Sequence, residues 1–343
     1  MKKIALTGWW TWWHIFPLVA LYNSLKDDKN LSFIWFGEQD WLEEEIAWQN
    51  DIPFKHIPAG KLRRYFDIRN IYEPFKNISW IIWWVYYLLF YKIDIIFSKW
   101  WYVSLPLCIA GFILRKKIYI HESDTVCWLA NKLIWKIATK VFYTFPNANI
   151  DGQKHICVWQ ILNQELLSNI DQTKNGKENE KLEVLVIAGS QWSTIIFENL
   201  KMILDNLIDI HFTIILWEKN LHFRADFEKF KNVTIHDFVS QKKMWEIYKK
   251  TDIAISRAGS TSLWELYFFW IHAIIIPLLW SAQNHQFYNA KYFRENFWSN
   301  IVKEWEDLSL EIFRILTKYK DLRKNGLNLE GFSYACDQIK KEI

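Results

Sequence analysis

The chain has 343 residues, a span that suits two domains of roughly 150 residues rather than one. Lys and Arg exceed Asp and Glu by only four, without a basic block, which argues against nucleic acid as a partner and leaves an anionic lipid surface as the better match for the mild positive charge. The cysteines Cys108, Cys127, Cys157 and Cys336 show neither CxxC spacing nor histidines at zinc-finger distances, so a disulfide framework and a structural zinc site are both unsupported. One ratio is abnormal: 23 Trp stand against 10 Gly, where average usage gives about 24 glycines at this length.

Lys3 to Thr7 reads as a strand and Pro17 to Leu25 as a helix with Leu18, Leu21 and Leu25 on one face. Between them lies Gly8-Trp9-Trp10-Thr11-Trp12-Trp13-His14. A strand-to-helix turn this short calls for residues that tolerate positive φ and let a phosphate approach the backbone, which is the role of glycine. Further strands are expected at Ser32 to Phe36, Ile93 to Ser98, Lys117 to His121, Glu183 to Ala188, Thr213 to Leu216, Ile253 to Ser256 and Ala273 to Pro277. Their alternation with amphipathic helices predicts βαβ units and parallel sheets, an α/β class. The polar stretch from Asp171 to Lys181 reads as the approach to a second domain. Ile78 to Tyr91, almost wholly apolar and bounded by Lys76 and Lys92, is too short to span a bilayer and reads either as a core helix or as an interfacial one, with Lys61, Arg63 and Arg64 nearby to attract headgroups. The terminal helical segment from about Leu310 is expected to pack back on the first domain. No Asp-x-Asp metal motif stands out, and Asp27-Asp28 reads as a solvated turn.

With glycine in place of its four tryptophans the first loop becomes GGGTGGH, and the chain then resembles the MurG family of glycosyltransferases along nearly its whole length. Ser98-Lys99-Trp100-Trp101-Tyr102-Val103-Ser104 is similar to that family's G-x-GGYVS loop, and His121-Glu122-Ser123-Asp124 with Trp128 and Asn131 to its HEQN stretch. Ala188-Gly189-Ser190-Gln191-Trp192 is similar to GGSQG, Ser256-Arg257-Ala258-Gly259 with Glu265 to SRAG and its acid, and Ile276-Pro277, His285-Gln286 and Asn289-Ala290 to the IP, HQ and NA block. Trp9, Trp10, Trp12, Trp13, Trp100, Trp101, Trp128, Trp159, Trp192 and Trp270 stand where the family has glycine, and Trp41, Trp48, Trp217, Trp280 and Trp298 are further candidates; Trp35 fits an ordinary apolar strand. The expectation is that UGA encodes glycine in the gene and has been read as tryptophan, with a deliberately altered sequence as the competing explanation.

The resemblance implies a GT-B fold, two Rossmann-like domains whose parallel sheets face each other across a cleft. Residues 1–160 would be the acceptor and membrane-associating domain, 161–181 a linker, 182–325 the UDP-sugar domain and 326–343 a helix returning to the first domain. It implies an inverting transfer of N-acetylglucosamine from UDP-GlcNAc to the MurNAc 4-hydroxyl of lipid I, giving lipid II in peptidoglycan synthesis at the cytoplasmic face of the cell membrane. The protein would be peripheral, with other cell-wall synthesis proteins as partners and no obligatory cofactor or metal. His14 and Asp124 are the catalytic candidates. Donor contacts fall on Thr11, Trp12, Trp13, Ser190, Val239 beside Phe238, Ser260, Glu265, His285 and Gln286, and acceptor contacts on His14, Tyr102 and Asp124. Histidine near neutral pKa suits a general base, helix N-termini suit a departing diphosphate, and a carboxylate suits two ribose hydroxyls. Arg257 would support the nucleotide site or brace its loop. Two departures touch substrate handling: Ser123-Asp124 replaces Gln-Asn, and Trp159 to Asn163 replaces G-N-P-V-R, losing an arginine. The alternatives are another GT-B transferase acting on a glycolipid, or a catalytically dead protein if the tryptophans are literal.

Overall fold

The computed structural model describes residues 1–8, 12–37, 41–56, 73–99, 104–126, 129–146, 153–162, 181–189, 193–237, 239–297, 299–322 and 335–343. The chain forms two compact units, Met1–Gln164 with Phe332–Ile343 and Glu165–Gly331.

The first unit runs β1 (Lys2–Thr7), α1 (Trp12–Leu25), β2 (Leu31–Gly37), α2 (Trp41–Gln49), β3 (Phe54–His56), α3 (Glu73–Phe90), β4 (Ile95–Ser98), α4 (Ser104–Ile113), β5 (Lys117–Glu122), α5 (Leu129–Ile137), β6 (Lys140–Tyr143) and β7 (His155–Cys157). All pairings are parallel in the order β3-β2-β1-β4-β5-β6-β7. Helices cover both faces, so the inner strands read as continuous apolar runs, with Ile4, Ala5, Leu6, Ile96 and Phe97 fully buried. Helix α1 begins at Trp12, five residues before the expected start, and holds Pro17 inside it. Proline there has no N–H for the carbonyl of Trp13, a local weakness that packing of Leu18, Leu21 and Leu25 into the core offsets. Strand β4 starts at Ile95 rather than Ile93, because the Ile93 N–H closes the end of α3 on the Leu88 carbonyl and the Asp94 N–H goes to Lys3.

The second unit runs β8 (Leu182–Ile187), α6 (Thr194–Ile203), β9 (Ile210–Ile215), α7 (Arg224–Phe227), β10 (Val233–His236), α8 (Gln241–Lys250), β11 (Ile253–Ser256), α9 (Ser260–Phe268), β12 (His272–Ile275), α10 (His285–Asn296), β13 (Ser299–Ile301) and α11 (Leu308–Leu322). Its sheet is again parallel, in the order β10-β9-β8-β11-β12-β13. Helix α11 does not return to the first unit: Leu308, Ile312 and Leu316 bury into the core of the second. Only α12 (Ala335–Glu342) packs on the first, where Ile339 is buried, the Tyr119 hydroxyl donates to the Glu342 carbonyl at 2.8 Å, and Lys140 Nζ meets Glu342 Oε2 at 3.0 Å.

Helix α3 has one buried and one exposed apolar face. Trp84 and Leu88 are buried against the sheet, while Ile82, Trp83, Tyr86, Leu89 and Phe90 stay more than half exposed. Phe112 and Ile113 at the end of the neighbouring α4 are exposed as well, exposed Lys92 and Arg115 lie in the turns that follow these two helices, and exposed Lys117 opens β5. Among the described residues no helix is long and apolar enough to cross a membrane.

Candidate active site

In an open parallel sheet, ligands bind beyond the carboxyl ends of the strands, where the strand order reverses. The reversals fall between β1 and β4 in the first sheet and between β8 and β11 in the second. The two glycine-type loops of the first unit follow β1 and β4; those of the second follow β8 and β11. The His121 to Asp124 stretch ends β5, and the block from Ile276 follows β12. All six motifs therefore leave their sheets at the same kind of edge.

In the second unit, Gly189 follows β8 with φ +79, a left-handed conformation that suits glycine. Gly259 caps α9 without a side-chain bond, and a Cβ added there would meet nothing within 4 Å, so the amino end of α9 can be approached closely. Ser260 opens α9 and is buried with Thr261 and Ser262. Glu265, a turn further on, accepts the Tyr248 hydroxyl from α8 on Oε2 at 2.8 Å, and burial pushes its carboxyl up to about 7. Val239 is buried just before α8. Gln283 and Asn284 both have positive φ, a tight turn that starts α10 at His285 and brings Gln286 Oε1 within 3.0 Å of the Leu278 N–H. Asn289, fully buried, donates to the Ala258 carbonyl at 3.1 Å and so ties α10 to the loop after β11.

Of the two roles open to Arg257, the described contacts are those of a brace. Its Nη1 lies 2.6 Å from Glu304 Oε1 and 3.2 Å from the Ile276 carbonyl, while Glu304 Oε2 accepts the Leu279 N–H at 3.3 Å. With both side chains about nine-tenths buried, the pair clamps the loops that follow β11, β12 and β13.

In the first unit, Asp124 stands two residues past β5 and its N–H donates to Glu122 Oε1 at 3.2 Å. Beside it lies a buried polar cluster that the sequence did not single out. Lys99 Nζ is 2.6 Å from His121 Nδ1 and also donates to Ser123 Oγ. His121 Nε2 lies 3.1 Å from the Trp159 carbonyl, and Thr144 Oγ1 donates to Gln160 Oε1 at 3.1 Å. Burial lowers Lys99 to about 7 against the pull of Glu122 and Asp124, and burial followed by the Lys99 charge holds His121 well below its ordinary value. The one available signal for Lys99 was a cation two residues past the apolar run Ile95 to Phe97.

Trp12, Trp13 and His14 form the first turn of α1, though their side chains fall outside the described set; Thr11, Tyr102, Ser190 and Phe238 lie outside it altogether. The structure thus brings Gln286 and the segment carrying Ser260 together through Asn289 and Leu278, and gives Asp124 a defined setting in the other unit. Among the described residues no group of three His, Cys, Asp or Glu could hold a metal ion.

Comparison with known proteins identifies the family. The glycosyltransferase family 28 N-terminal domain matches residues 4–143 and the family 28 C-terminal domain residues 183–336. The UDP-N-acetylglucosamine–N-acetylmuramyl-(pentapeptide) pyrophosphoryl-undecaprenol N-acetylglucosamine transferase of Clostridium kluyveri is 32% identical, covering 100% of this chain and 98% of its own. Its namesake in Clostridium perfringens is 31% identical over 94% of this chain and 90% of its own. Among solved structures, MurG of Acinetobacter baumannii superposes with a TM-score of 0.76 at 21% identity, covering 93% of this chain and 91% of that one. A UDP-GlcNAc 2-epimerase of Methanocaldococcus jannaschii gives 0.68 at 12% identity over 100% and 99%. Two parallel Rossmann-like sheets of this order make the fold GT-B, and with whole-length relatives at this identity the chain belongs to the family 28 glycosyltransferases of the MurG type.

Proposed function

We propose that this glycosyltransferase moves N-acetylglucosamine from UDP-GlcNAc to the MurNAc 4-hydroxyl of lipid I, forming lipid II. The observation that carries the reading is the gathering of all six family motifs at strand carboxyl ends, in a chain whose relatives over its full length bear that activity in their names. The amino end of α9 with Ser260, and the loop after β8 with Ser190, meet the diphosphate; Glu265 takes the ribose, Val239 lies at the uracil, and His285 and Gln286 read the sugar. Thr11, Trp12 and Trp13 contact the donor. His14 removes the proton of the attacking hydroxyl, with Asp124 and Tyr102 on the acceptor. The backbone N–H groups of the loops neutralise the leaving UDP, so catalysis does not require a metal.

In the functional protein, glycine occupies the loop positions now read as tryptophan. Three described members of that set support this. Trp159, Trp217 and Trp270 have φ of 64, 59 and 58. Trp217, with ψ 158, lies in a region essentially reserved for glycine. Trp270 ends α9 in a Schellman arrangement, its N–H on the Tyr267 carbonyl and that of Ile271 on Leu266, where glycine is the usual residue. Trp35 offers the contrast: fully buried inside β2, it is ordinary core. UGG codons at positions 9, 100 and 192 would refute the recoding.

The protein works at the cytoplasmic membrane face as a peripheral enzyme, held by the exposed face of α3 with Phe112, Ile113 and the neighbouring basic turns. The decisive assay is transfer of radiolabelled GlcNAc to lipid I in detergent by the chain carrying glycine at positions 9, 10, 12, 13, 100, 101 and 192, beside the literal chain. Lipid II from the first and none from the second is the expected result. Turnover of a different glycolipid alone would make this another GT-B transferase, and no UDP binding by either chain in calorimetry would make it a non-catalytic protein.

A further inference from the structure

We propose that Lys99 is a positioning residue for the acceptor side of the site, tying the Ser123-Asp124 segment to the end of β4; this rests on the reading of Asp124 as an acceptor contact. Lys99 is fully buried, and lysine is almost never so unless paired, because removing an ammonium from water costs several kcal/mol. Its partners come from the adjacent strand end. Ser98 pairs with Ile120 in the β4–β5 ladder, so Lys99, the residue just past β4, stands level with His121 near the end of β5. From there its ammonium reaches His121 Nδ1 at 2.6 Å and Ser123 Oγ.

The chemistry of these bonds fixes their direction. The Trp159 carbonyl only accepts, so His121 carries its proton on Nε2 and turns the Nδ1 lone pair toward Lys99. One line of hydrogen bonds therefore runs from Trp159, two residues past β7, through His121 and Lys99, to Ser123, the residue immediately before Asp124. Thr144 after β6 joins it at 3.5 Å from His121 Nε2. Burial and the opposing pull of the Glu122 and Asp124 carboxylates leave the lysine with a depressed pKa of about 7, consistent with a group held for its bonds rather than for solvation. An apolar side chain would fill the same space; what the ammonium adds is a bond aimed at the Ser123 hydroxyl.

The test compares the full glycine-loop chain with its Lys99→Met, Ser123→Ala and doubly substituted variants, measuring kcat and KM for lipid I and for UDP-GlcNAc separately. Lys99→Met should lower kcat/KM for lipid I on the order of 10- to 100-fold, the usual cost of misplacing a reacting group, and leave the UDP-GlcNAc KM and calorimetric UDP affinity within about twofold. Ser123→Ala should move the same parameter less, and the pair should be non-additive. Acceptor kcat/KM unchanged by both substitutions, or donor and acceptor constants shifting together, would overturn the proposal. If the parent transfers nothing to lipid I, the function reading fails, and the His121 ring 15N pattern decides on the tie alone: Lys99→Met should change it and raise the His121 pKa, and an unchanged pattern overturns the tie. Should Lys99→Met not fold, Ser123→Ala carries the same test with Lys99 in place.

Discussion

Replacing Glu265 by glutamine should stabilise the second unit at alkaline pH while weakening nucleotide binding. Burial raises the carboxyl from its ordinary 4.5 to about 7, and at about 1.4 kcal/mol for each pH unit the ionised form costs the fold roughly 3 kcal/mol. Glu265 as a whole keeps intermediate exposure, so screening brings the expected effect to about 2 kcal/mol. The sign follows from a folded pKa above the unfolded one. The cost is absent below about pH 4.5, where both states are neutral, grows between pH 4.5 and 7, and is complete above pH 7. Glutamine escapes it and can still accept the Tyr248 hydroxyl through its carbonyl oxygen. Urea unfolding followed by hydrogen exchange of α9 amides should therefore show Glu265→Gln more stable than the parent at pH 8 and nearly equal to it at pH 5. In the glycine-loop chain UDP affinity should fall about tenfold or more at pH 8, since the one acceptor oxygen of the amide is already engaged. Equal stability differences from the parent at the two pH values, or a variant less stable than the parent at pH 8, would refute the reasoning.

Other substitutions separate bracing from burial. Arg257→Ala strands the Glu304 carboxylate at about one-tenth exposure and should cost about 3–5 kcal/mol in chemical denaturation, whereas Arg257→Met with Glu304→Leu should regain most of that. Trp217→Gly and Trp270→Gly should each leave stability unchanged or raise it by about 1–2 kcal/mol, against the ~3–5 kcal/mol loss that truncating a buried tryptophan normally brings; losses of that size at both positions would argue for literal tryptophan. On α3 the two faces should part company: Leu88→Ala, fully buried, should cost about 2–5 kcal/mol of stability. Trp83→Glu with Leu89→Glu should instead leave thermal stability within ~1 kcal/mol and reduce flotation with anionic vesicles. Leu88 is thus unsuitable as a probe of membrane binding, although its place in the apolar stretch invites that use.

What could be read from the chain, and what could not, divides along physical lines. Strands buried on both faces announce themselves as unbroken apolar runs, and β1, β8 and β11 stand within a residue of where those runs begin. The strands that escaped notice include Phe54–His56, His155–Cys157, Val233–His236 and Ser299–Ile301, the outermost of each sheet, whose residues are mostly half-exposed and break the apolar pattern. The motif loops were legible because phosphate chemistry restricts backbone conformation within a few consecutive residues, so even their substitution by tryptophan leaves an outline. The side-chain partnerships were not: Lys99 with His121 and Arg257 with Glu304 join residues that the parallel strands bring together, and Tyr248 with Glu265 joins the helices on either side of β11. Their common feature is that each holds a segment next to a motif: the Lys99 tie and the Arg257 clamp at the ends of β4 and β11, and the Tyr248 bond at the helix that follows β11. A site made of loops gains its geometry from such buried, charged ties behind it. The same reasoning explains why tryptophan at a left-handed helix end and tryptophan in the core of β2 cannot be told apart by composition: only the backbone conformation each must adopt distinguishes a position that wants glycine from one that wants an indole.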